Sequence, residues 1–596
     1  MTPQFPYGLA DFQKIREEGY FYIDRTDRIS LIESAGDQLL FLRPRRFGKS
    51  LWLSVLENYY DLARADQFEA LFGDLKIGRE PTPKHNRYFI LRLDFSEVDP
   101  NGNLEAITAS FHRHINSCIR GFSRYYHHHL PQPIERDMTD SFVSLRDLID
   151  VTAATGHKLY LLIDEYDNFA NEVMASQIRG IDRYQELVGG EGIIKTFFKV
   201  VKASAGGRGL DRVFITGVSP VVLSDITSGY NVAKTITHLD EYHDLCGFTG
   251  EELDDILTRV LEGCLEEWQD PERRGEVLSM LRTFYNGYRF ARKEGGALVY
   301  NPALTLYFFD HFSRYQCYPE EMLDENLAMD RNRIRFVAGL PHGEAVVNQA
   351  LDLVQPLVTR RLADDFGIDA LLKDEQGPGF LVSLLYYLGV LTRMGRDPFG
   401  ELQFAIPNLV VRKLYVERMR DGFLSTFEHI KARDEVSKTF YITGELEPLC
   451  DFIEARLLKV FDNRDLRWSN ELVVKTLFLV ALFNDSAYIV DSETAIDRGY
   501  CDLSLILRPD MRKYRLLDHL LEFKHLRWED LGAKNMGMRE LPREELRQLP
   551  PVAKKLSEAE TQLADYRETL ERVYGEKLRL ATHAVVCIGL ERLVWG

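Results

Sequence analysis

The N-terminal part of the chain alternates short apolar runs with longer segments of helical period. Leu39-Leu40-Phe41-Leu42 is a continuous apolar run, and a helical pattern resumes at Lys49. Arg87 to Asp94 alternates apolar and polar positions, and Leu159 to Ile163 is apolar throughout. Arg212 to Ser219 opens apolar and ends in small polar residues. Runs of this length, separated by helical stretches such as Leu104 to about Tyr126, read as buried parallel strands. The alternation predicts an α/β sheet that takes its ligand at the C-terminal strand ends.

From about Asp240 the period turns helical, for example at Leu381, Leu384, Leu385 and Leu388, and stays mixed to about Val436. Phe284-Tyr285-Asn286-Gly287-Tyr288 reads as a helix end with Gly287 in a left-handed cap. Strand patterns return near the C-terminus. An apolar helix is expected from Leu472 to Phe483, with Ser469 or Asn470 as its N-cap. Strand-like segments follow at Tyr488-Ile489-Val490-Asp491-Ser492-Glu493, at Asp502–Leu507 and in a run ending Leu520-Leu521-Glu522-Phe523-Lys524, with a polar turn at Arg498-Gly499. A helix carrying Gln562 and Tyr566 precedes a final strand from Thr582 to Ile588. This pattern divides the chain into 1–240, 241–440 and 441–596. No repeat and no low-complexity linker interrupts it.

With 596 residues the chain has room for roughly three or four domains, and 45% hydrophobic with 28% charged residues is ordinary for a globular protein. The longest membrane candidate, Leu472–Val490, is broken by Lys475, Asn484 and Asp485. The N-terminus lacks the basic-then-apolar order of a secretory signal. Seven cysteines without a CxxC pair read as reduced thiols. A cytoplasmic protein with no membrane partner is expected. A net charge of −18 argues against coating nucleic acid by bulk attraction, but not against a local basic groove.

Two stretches carry chemistry. The loop Arg43-Pro44-Arg45-Arg46-Phe47-Gly48-Lys49-Ser50 joins a strand to a helix, the context of a phosphate-binding loop. Backbone N–H groups and the helix dipole would face phosphate, Lys49 would reach the terminal phosphates, and Ser50 would ligate Mg²⁺. The first loop position is Arg43, where glycine is usual. Asp164 and Glu165 end the next anchor strand. Asp164 would hold the Mg²⁺ water shell and Glu165 would polarise the attacking water. Thr216 or Ser219 would approach the γ-phosphate from a strand lying between the two motif strands, although both residues also suit a turn. Tyr22, Asp24 and Thr26 either border a nucleotide base or form a surface turn. Among Arg43, Arg45 and Arg46, at least one is expected to stay exposed for an oxyanion, the alternative being intramolecular ion pairs. The adjacent His127-His128-His129 cannot all face one metal from a helix.

In the C-terminal part, Glu522 and Lys524 share one face of a strand, and Asp502 joins them if the neighbouring strand pairs. Two carboxylates there can hold Mg²⁺ against a phosphodiester while the lysine orients water. Glu471 opens the preceding helix, and Gln562 and Tyr566 share a helical face at i and i+4.

RPRRFGKS followed by LLIDEYD, FITGVS and YNGY resembles the bacterial and fungal AAA-ATPase-like family, whose members carry a C-terminal PD-(D/E)XK nuclease-like domain. The resemblance runs along essentially the whole chain, and the family tolerates arginine at position 43. It implies a P-loop parallel-sheet ATPase domain of the AAA/ASCE type over 1–240, a helical lid and connecting domain over 241–440, and an α/β restriction-endonuclease-like domain over 441–596. By the same resemblance Gly48, Lys49, Ser50, Asp164 and Glu165 match the nucleotide site. Asp502, Glu522 and Lys524 match the nuclease core, and Gln562 and Tyr566 match the QxxxY motif of its RecB-type branch. Cys501 stands where that family has proline. The expectation is an ATP- and Mg²⁺-dependent nuclease acting on DNA ahead of RNA, with homo-oligomerisation left open. The competing expectation is a nucleotide-switched interaction protein whose nuclease fold is only a binding platform. A purely structural nucleotide would not need Glu165.

Overall fold

The computed structural model describes residues 3–168, 172, 192–207, 209–220, 232–324, 330–352, 355–363, 377–460, 470–491, 494–496, 499–532 and 536–596. Its N-terminal unit is a five-stranded parallel sheet. The strands are β1 (Gln38–Leu42), β2 (Tyr88–Asp94), β3 (Lys158–Asp164), β4 (Leu210–Gly217) and the short β5 (Lys234–Thr235), in the spatial order β2-β3-β4-β1-β5. The strand β4 therefore lies between the two motif strands, as expected. It pairs in parallel with β1 (Phe41 beside Thr216) and with β3 (Ile163 beside Ile215). Four residues of β1 and six of β3 are buried, because helices cover both faces of the sheet. Among these helices are α1 (Lys49–Tyr60), α2 (Leu104–Tyr125, capped by Asn103) and α3 (Ser141–Ala153, capped by Asp140).

The middle region is less purely helical than its periodicity suggests. It contains the helices α4 (Gly250–Leu261, with a Thr249/Glu252 capping box), α5 (Pro271–Tyr285) and α6 (Pro302–Tyr315). It also contains an unforeseen antiparallel sheet of β6 (Leu357–Thr359), β7 (Thr392–Arg396) and β8 (Leu402–Ala405), in the order β6-β8-β7. These strands are short, and only part of each is buried, so they carry little periodic signal. The helix α7 (Pro378–Tyr387) that bears Leu381, Leu384 and Leu385 is buried on nearly every face. Gly287 does have positive φ (+108°) one residue beyond the cap of α5, and its backbone passes so close to Pro407 that a Cβ would lie 2.0 Å from the carbonyl oxygen.

Residue 440 falls inside a helix, α9 (Phe427–Thr443), which follows α8 (Leu409–Phe423) and packs on the C-terminal unit: Ser437 donates to the Ala481 carbonyl and Tyr441 to that of Leu482. A boundary at 440 would cut this helix. The C-terminal sheet joins β9 (Tyr488–Asp491), β10 (Leu503–Leu507), β11 (Asp518–Leu526), β12 (Leu580–Ile588) and β13 (Arg592–Trp595) in the order β13-β12-β11-β10-β9. The β11–β12 pairing is parallel and the rest are antiparallel. The helix α11 (Pro550–Tyr574) makes the parallel crossover, and α10 (Asn470–Leu482) packs on the other side through Phe478 against Phe523. The Ser469, Ser492, Glu493 and Arg498 positions lie outside the described residues. Among the described residues no helix is long and apolar enough to cross a membrane.

Candidate functional site: a phosphate loop and a carboxylate–lysine cluster

The strand β1 delivers the chain into the loop at the C-terminal sheet edge. Gly48 turns the chain with φ +89° into α1, and the space where a Cβ would stand is open. Lys49 is buried, with its Nζ 3.2 Å from the Pro44 carbonyl oxygen and 3.2 Å from Glu165 Oε1. Glu165 follows β3 with φ +46°, a left-handed conformation that a non-glycine residue holds only when its surroundings impose it. Its Oε2 is buried and has no hydrogen-bond partner among the described residues. Asp164 accepts from Thr216 Oγ1 (2.7 Å) and from the Glu165 N–H (3.1 Å), and its Oδ2 lies 3.3 Å from Arg92. The β3–β4 pairing thus brings Asp164, Glu165, Thr216 and Lys49 together. Ser219 turns elsewhere, donating to the buried Asp167.

A 590 Å³ cavity opens beside this loop, within the usual range for small-molecule sites. Gly48, Lys49, Ser50 and Glu165 line it, together with the aromatic Phe21, Tyr22 and Phe248. Tyr22 therefore borders the cavity. Asp24 and Thr26 instead form the local turn, with Thr26 N–H and Oγ1 both donating to Asp24.

The three loop arginines part company. Arg45 and Arg46 line the cavity and stay half-buried, near Glu172 (3.9 Å) and Asp324 (3.7 Å) respectively. Arg43, placed in the binding loop with Arg45 and Arg46, is not among the residues that line the cavity. Its guanidinium is buried between Phe41 and Phe290 and donates to the carbonyls of Leu42, Thr237 and Tyr242. Burial pulls its pKa down to about 10. Pro44 and Phe47 serve the fold as well. Pro44 packs on Gly389, where a Cβ would come within 2.5 Å, and Phe47 packs edge-on against Tyr288 and Phe290.

In the C-terminal unit the pairing of β10 with β11 brings Asp502 against Glu522 and Lys524. Asp502 Oδ2 accepts from the Phe523 N–H (2.8 Å), and the Asp502 N–H points at Glu522 Oε2 (3.4 Å). Lys524 Nζ lies 2.8 Å from Glu522 Oε1 and 3.7 Å from Glu471 Oε1. Burial first, and then the charge of Asp502, push the Glu522 carboxyl up to about 7. Burial also raises Asp502 and Glu471. Buried carboxylates that crowd one another in this way are short of positive charge. Among the described residues no three His, Cys, Asp or Glu side chains form a metal-ligand set. The donor set on offer is therefore two carboxylates, which suits a hard cation that keeps several waters. Gln562 Oε1 is buried without a partner among the described residues, and Tyr566 lies buried in the helix–sheet layer with Leu520 and Leu563.

Residues 6–227 match the family model described as predicted AAA-ATPase. The match and the loop geometry agree on an ATPase-like, nucleotide-binding N-terminal unit with a parallel-sheet P-loop fold. A protein of Azotobacter chroococcum mcd 1, described as uncharacterised and in the vnfD 5′ region, is 28% identical over 315 residues. That alignment takes in 51% of this chain and 52% of the relative, so the chain spans about half the length of the curated relative it matches. Among solved structures, a Walker-type ATPase of Pyrococcus abyssi superposes with TM-score 0.34 at 14% identity, covering 66% of this chain and 96% of that one. The ADP form of the Aeropyrum pernix ORC2 protein gives 0.30 at 14% identity, covering 68% and 98%. Identity and superposition are both low, and neither structure bears on this chain's chemistry.

Three side chains at these sites escaped the sequence reading. Arg92 sits mid-strand on β2 and reaches both Asp164 and Glu57. It was visible only as one polar position in an alternating run. Lys475 is buried on α10, and its charge acts on Asp502. The signal was the i, i+4 spacing from Glu471, but Lys475 registered only as a break in an apolar run. Phe248, from beyond the sheet, lines the cavity and had no local signal at all.

Proposed function

We propose that the chain binds and hydrolyses ATP in its N-terminal unit and thereby controls a Mg²⁺-dependent phosphodiesterase in its C-terminal unit, acting on nucleic acid, DNA ahead of RNA. The observation that carries the first part is the Lys49–Glu165 contact beside the Thr216–Asp164 hydrogen bond. It puts a lysine and two acids at one sheet edge, the residue types that such a site uses to bind phosphate, polarise water and hold a cation. The residues present fit ATP and Mg²⁺. The open backbone at Gly48 can approach phosphate, and the unpartnered Glu165 Oε2 can accept from water. When phosphate displaces the carboxylate from Lys49, Glu165 is freed to polarise that water, and Thr216 keeps Asp164 oriented.

In the C-terminal unit Asp502 and Glu522 would hold Mg²⁺, whose chemistry is to offset charge developing on a phosphodiester. Lys524 would orient the attacking water, and Glu471 would hold Lys524. Gln562 and Tyr566 would support this cluster from α11. The test is incubation of the purified chain with circular and linear DNA and with RNA, with and without ATP and Mg²⁺. Cleavage that requires Mg²⁺ and responds to ATP is expected. The second reading, an interaction platform, draws on the Glu471–Lys524–Glu522 pairing, in which the lysine is already held between two carboxylates. It expects no cleavage under any of these conditions.

A further inference from the structure

A second concave surface lies away from both sites. The C-terminal end of α2 and the loop after it enclose a 770 Å³ pocket lined by Arg120, Arg124, His127, Gln132 and Arg136 over an apolar floor that includes Ile134. Among the described residues no carboxylate lines it, in a chain with 92 acidic and 74 basic residues. Of the nearby acids, Glu135 is exposed next to Arg136 in the chain, and two others are engaged with backbone. Asp137 accepts from the Thr139 and Asp140 N–H groups, and Asp147 accepts from the Glu135 N–H. Ser123 also lines the pocket, and its buried Oγ has no partner among the described residues. The basic surface continues outward. Arg113, Ser117, Arg120 and Arg124 follow at i, i+4, i+7 and i+11, which puts them on one face of α2, and all four are exposed. At about 1.5 Å per residue this stripe runs roughly 16 Å.

The adjacent helix end explains little of this. Cations in the last turn of a helix offset its dipole, which accounts for Arg124. It does not account for Arg120, a turn earlier, or for Arg136, which lies in the loop. Arginine forks match phosphate oxygens, and a compact anion would use the pocket but not the stripe leading from it. We propose that the pocket and stripe hold the phosphate backbone of a nucleic acid strand, at a site separate from the one that cleaves it. The Tyr126 hydroxyl, just past α2, accepts from the Ile90 N–H near the start of β2, so the pocket sits at the sheet edge opposite the phosphate loop. A strand bound here leaves the nucleotide cavity open. The proposal rests on the nucleic-acid part of the function above and not on hydrolysis.

The test measures fluorescence anisotropy of the full chain with a labelled single strand of roughly 20 nucleotides in EDTA, from about 50 to 200 mM salt. The variants are Arg120→Glu/Arg124→Glu and Arg136→Glu, all at exposed positions. Lys438→Glu, exposed on α9, serves as the control for net charge. The proposal expects at least about tenfold weaker binding in the double variant and a log–log salt slope shallower by about 0.7 per lost phosphate contact. Lys438→Glu should change affinity by less than about twofold. An unchanged slope and affinity in both pocket variants overturns the site while leaving strand binding elsewhere intact. Displacement of the strand by polyglutamate at equal charge concentration, where inorganic triphosphate fails, would make this a site for an acidic protein instead. If the wild-type chain binds no strand at any salt, the site and the nucleic-acid reading fall together.

Discussion

In the proposed ATP site the Lys49–Glu165 contact would make the chain its own competitor for nucleotide. Lys49 is 3% exposed and Glu165 18%, at 3.2 Å, and Lys49 must give up this partner to meet phosphate. At an effective dielectric of about 20, two unit charges at that separation attract by roughly 5 kcal/mol. Desolvation of both groups cancels most of that, leaving about 1–2 kcal/mol to be surrendered on binding. Glu165→Gln keeps the shape, removes the charge and so removes most of the competition. It should bind ATP roughly tenfold more tightly, the equivalent of about 1.4 kcal/mol. Turnover should fall by about a hundredfold or more, because the water loses its general base. Titration with a fluorescent ATP analogue without Mg²⁺ isolates binding, and phosphate release with Mg²⁺ reads turnover. Lys49→Ala should abolish binding, and adding Glu165→Gln to it should not restore it. If Glu165→Gln binds no better than wild type, the competition argument fails. If Lys49→Ala binds as wild type does, the loop is not the nucleotide site.

Three further outcomes follow from the same geometry. Thr216→Val removes the buried 2.7 Å hydrogen bond to Asp164, so it should destabilise the N-terminal unit by roughly 1.5–3 kcal/mol in urea unfolding and lower ATP turnover; unchanged turnover would separate Thr216 from the site. Asp502→Ala should eliminate nucleic acid cleavage and leave ATP hydrolysis within about twofold; cleavage at the wild-type rate would trace to a contaminant. The Glu522 carboxyl, raised to about 7, keeps a proton in the folded state that the unfolded state has already lost, so stability should decline as pH rises from 4.5 towards 7, by at most roughly 3 kcal/mol. Melting curves across that window should show a shallower pH dependence for Glu522→Gln, and equal slopes would refute the assignment.

The parts of this chain that were legible in the sequence are those whose physics is local. A buried parallel strand must be apolar along its length, and an acid at its end marks the sheet edge, so the strands around Leu40 and Leu161 and the Asp164-Glu165 pair stood out. The same logic set Asp502, Glu522 and Lys524 on one edge, since period two decides which side chains share a face. The course of the Arg43 side chain was not legible, because residue type does not say which way a side chain turns. Its neighbours Phe41 and Phe290 and the carbonyls that hold it come from distant segments. The connection between the two sites was illegible for the same reason. Asp324 faces Arg46 of the phosphate loop at 3.7 Å, and five residues earlier the Pro319 carbonyl accepts from the fully buried Arg508 of the C-terminal unit at 2.9 Å. Lys413 ties Glu321 to Asp485 between them. No periodicity marks such a segment, because its interactions are made by carbonyls and isolated charges. A shift of Arg46 towards phosphate would act on one end of this strut while Arg508 holds the other, so the nucleotide state and the C-terminal sheet meet within six residues that carry no motif.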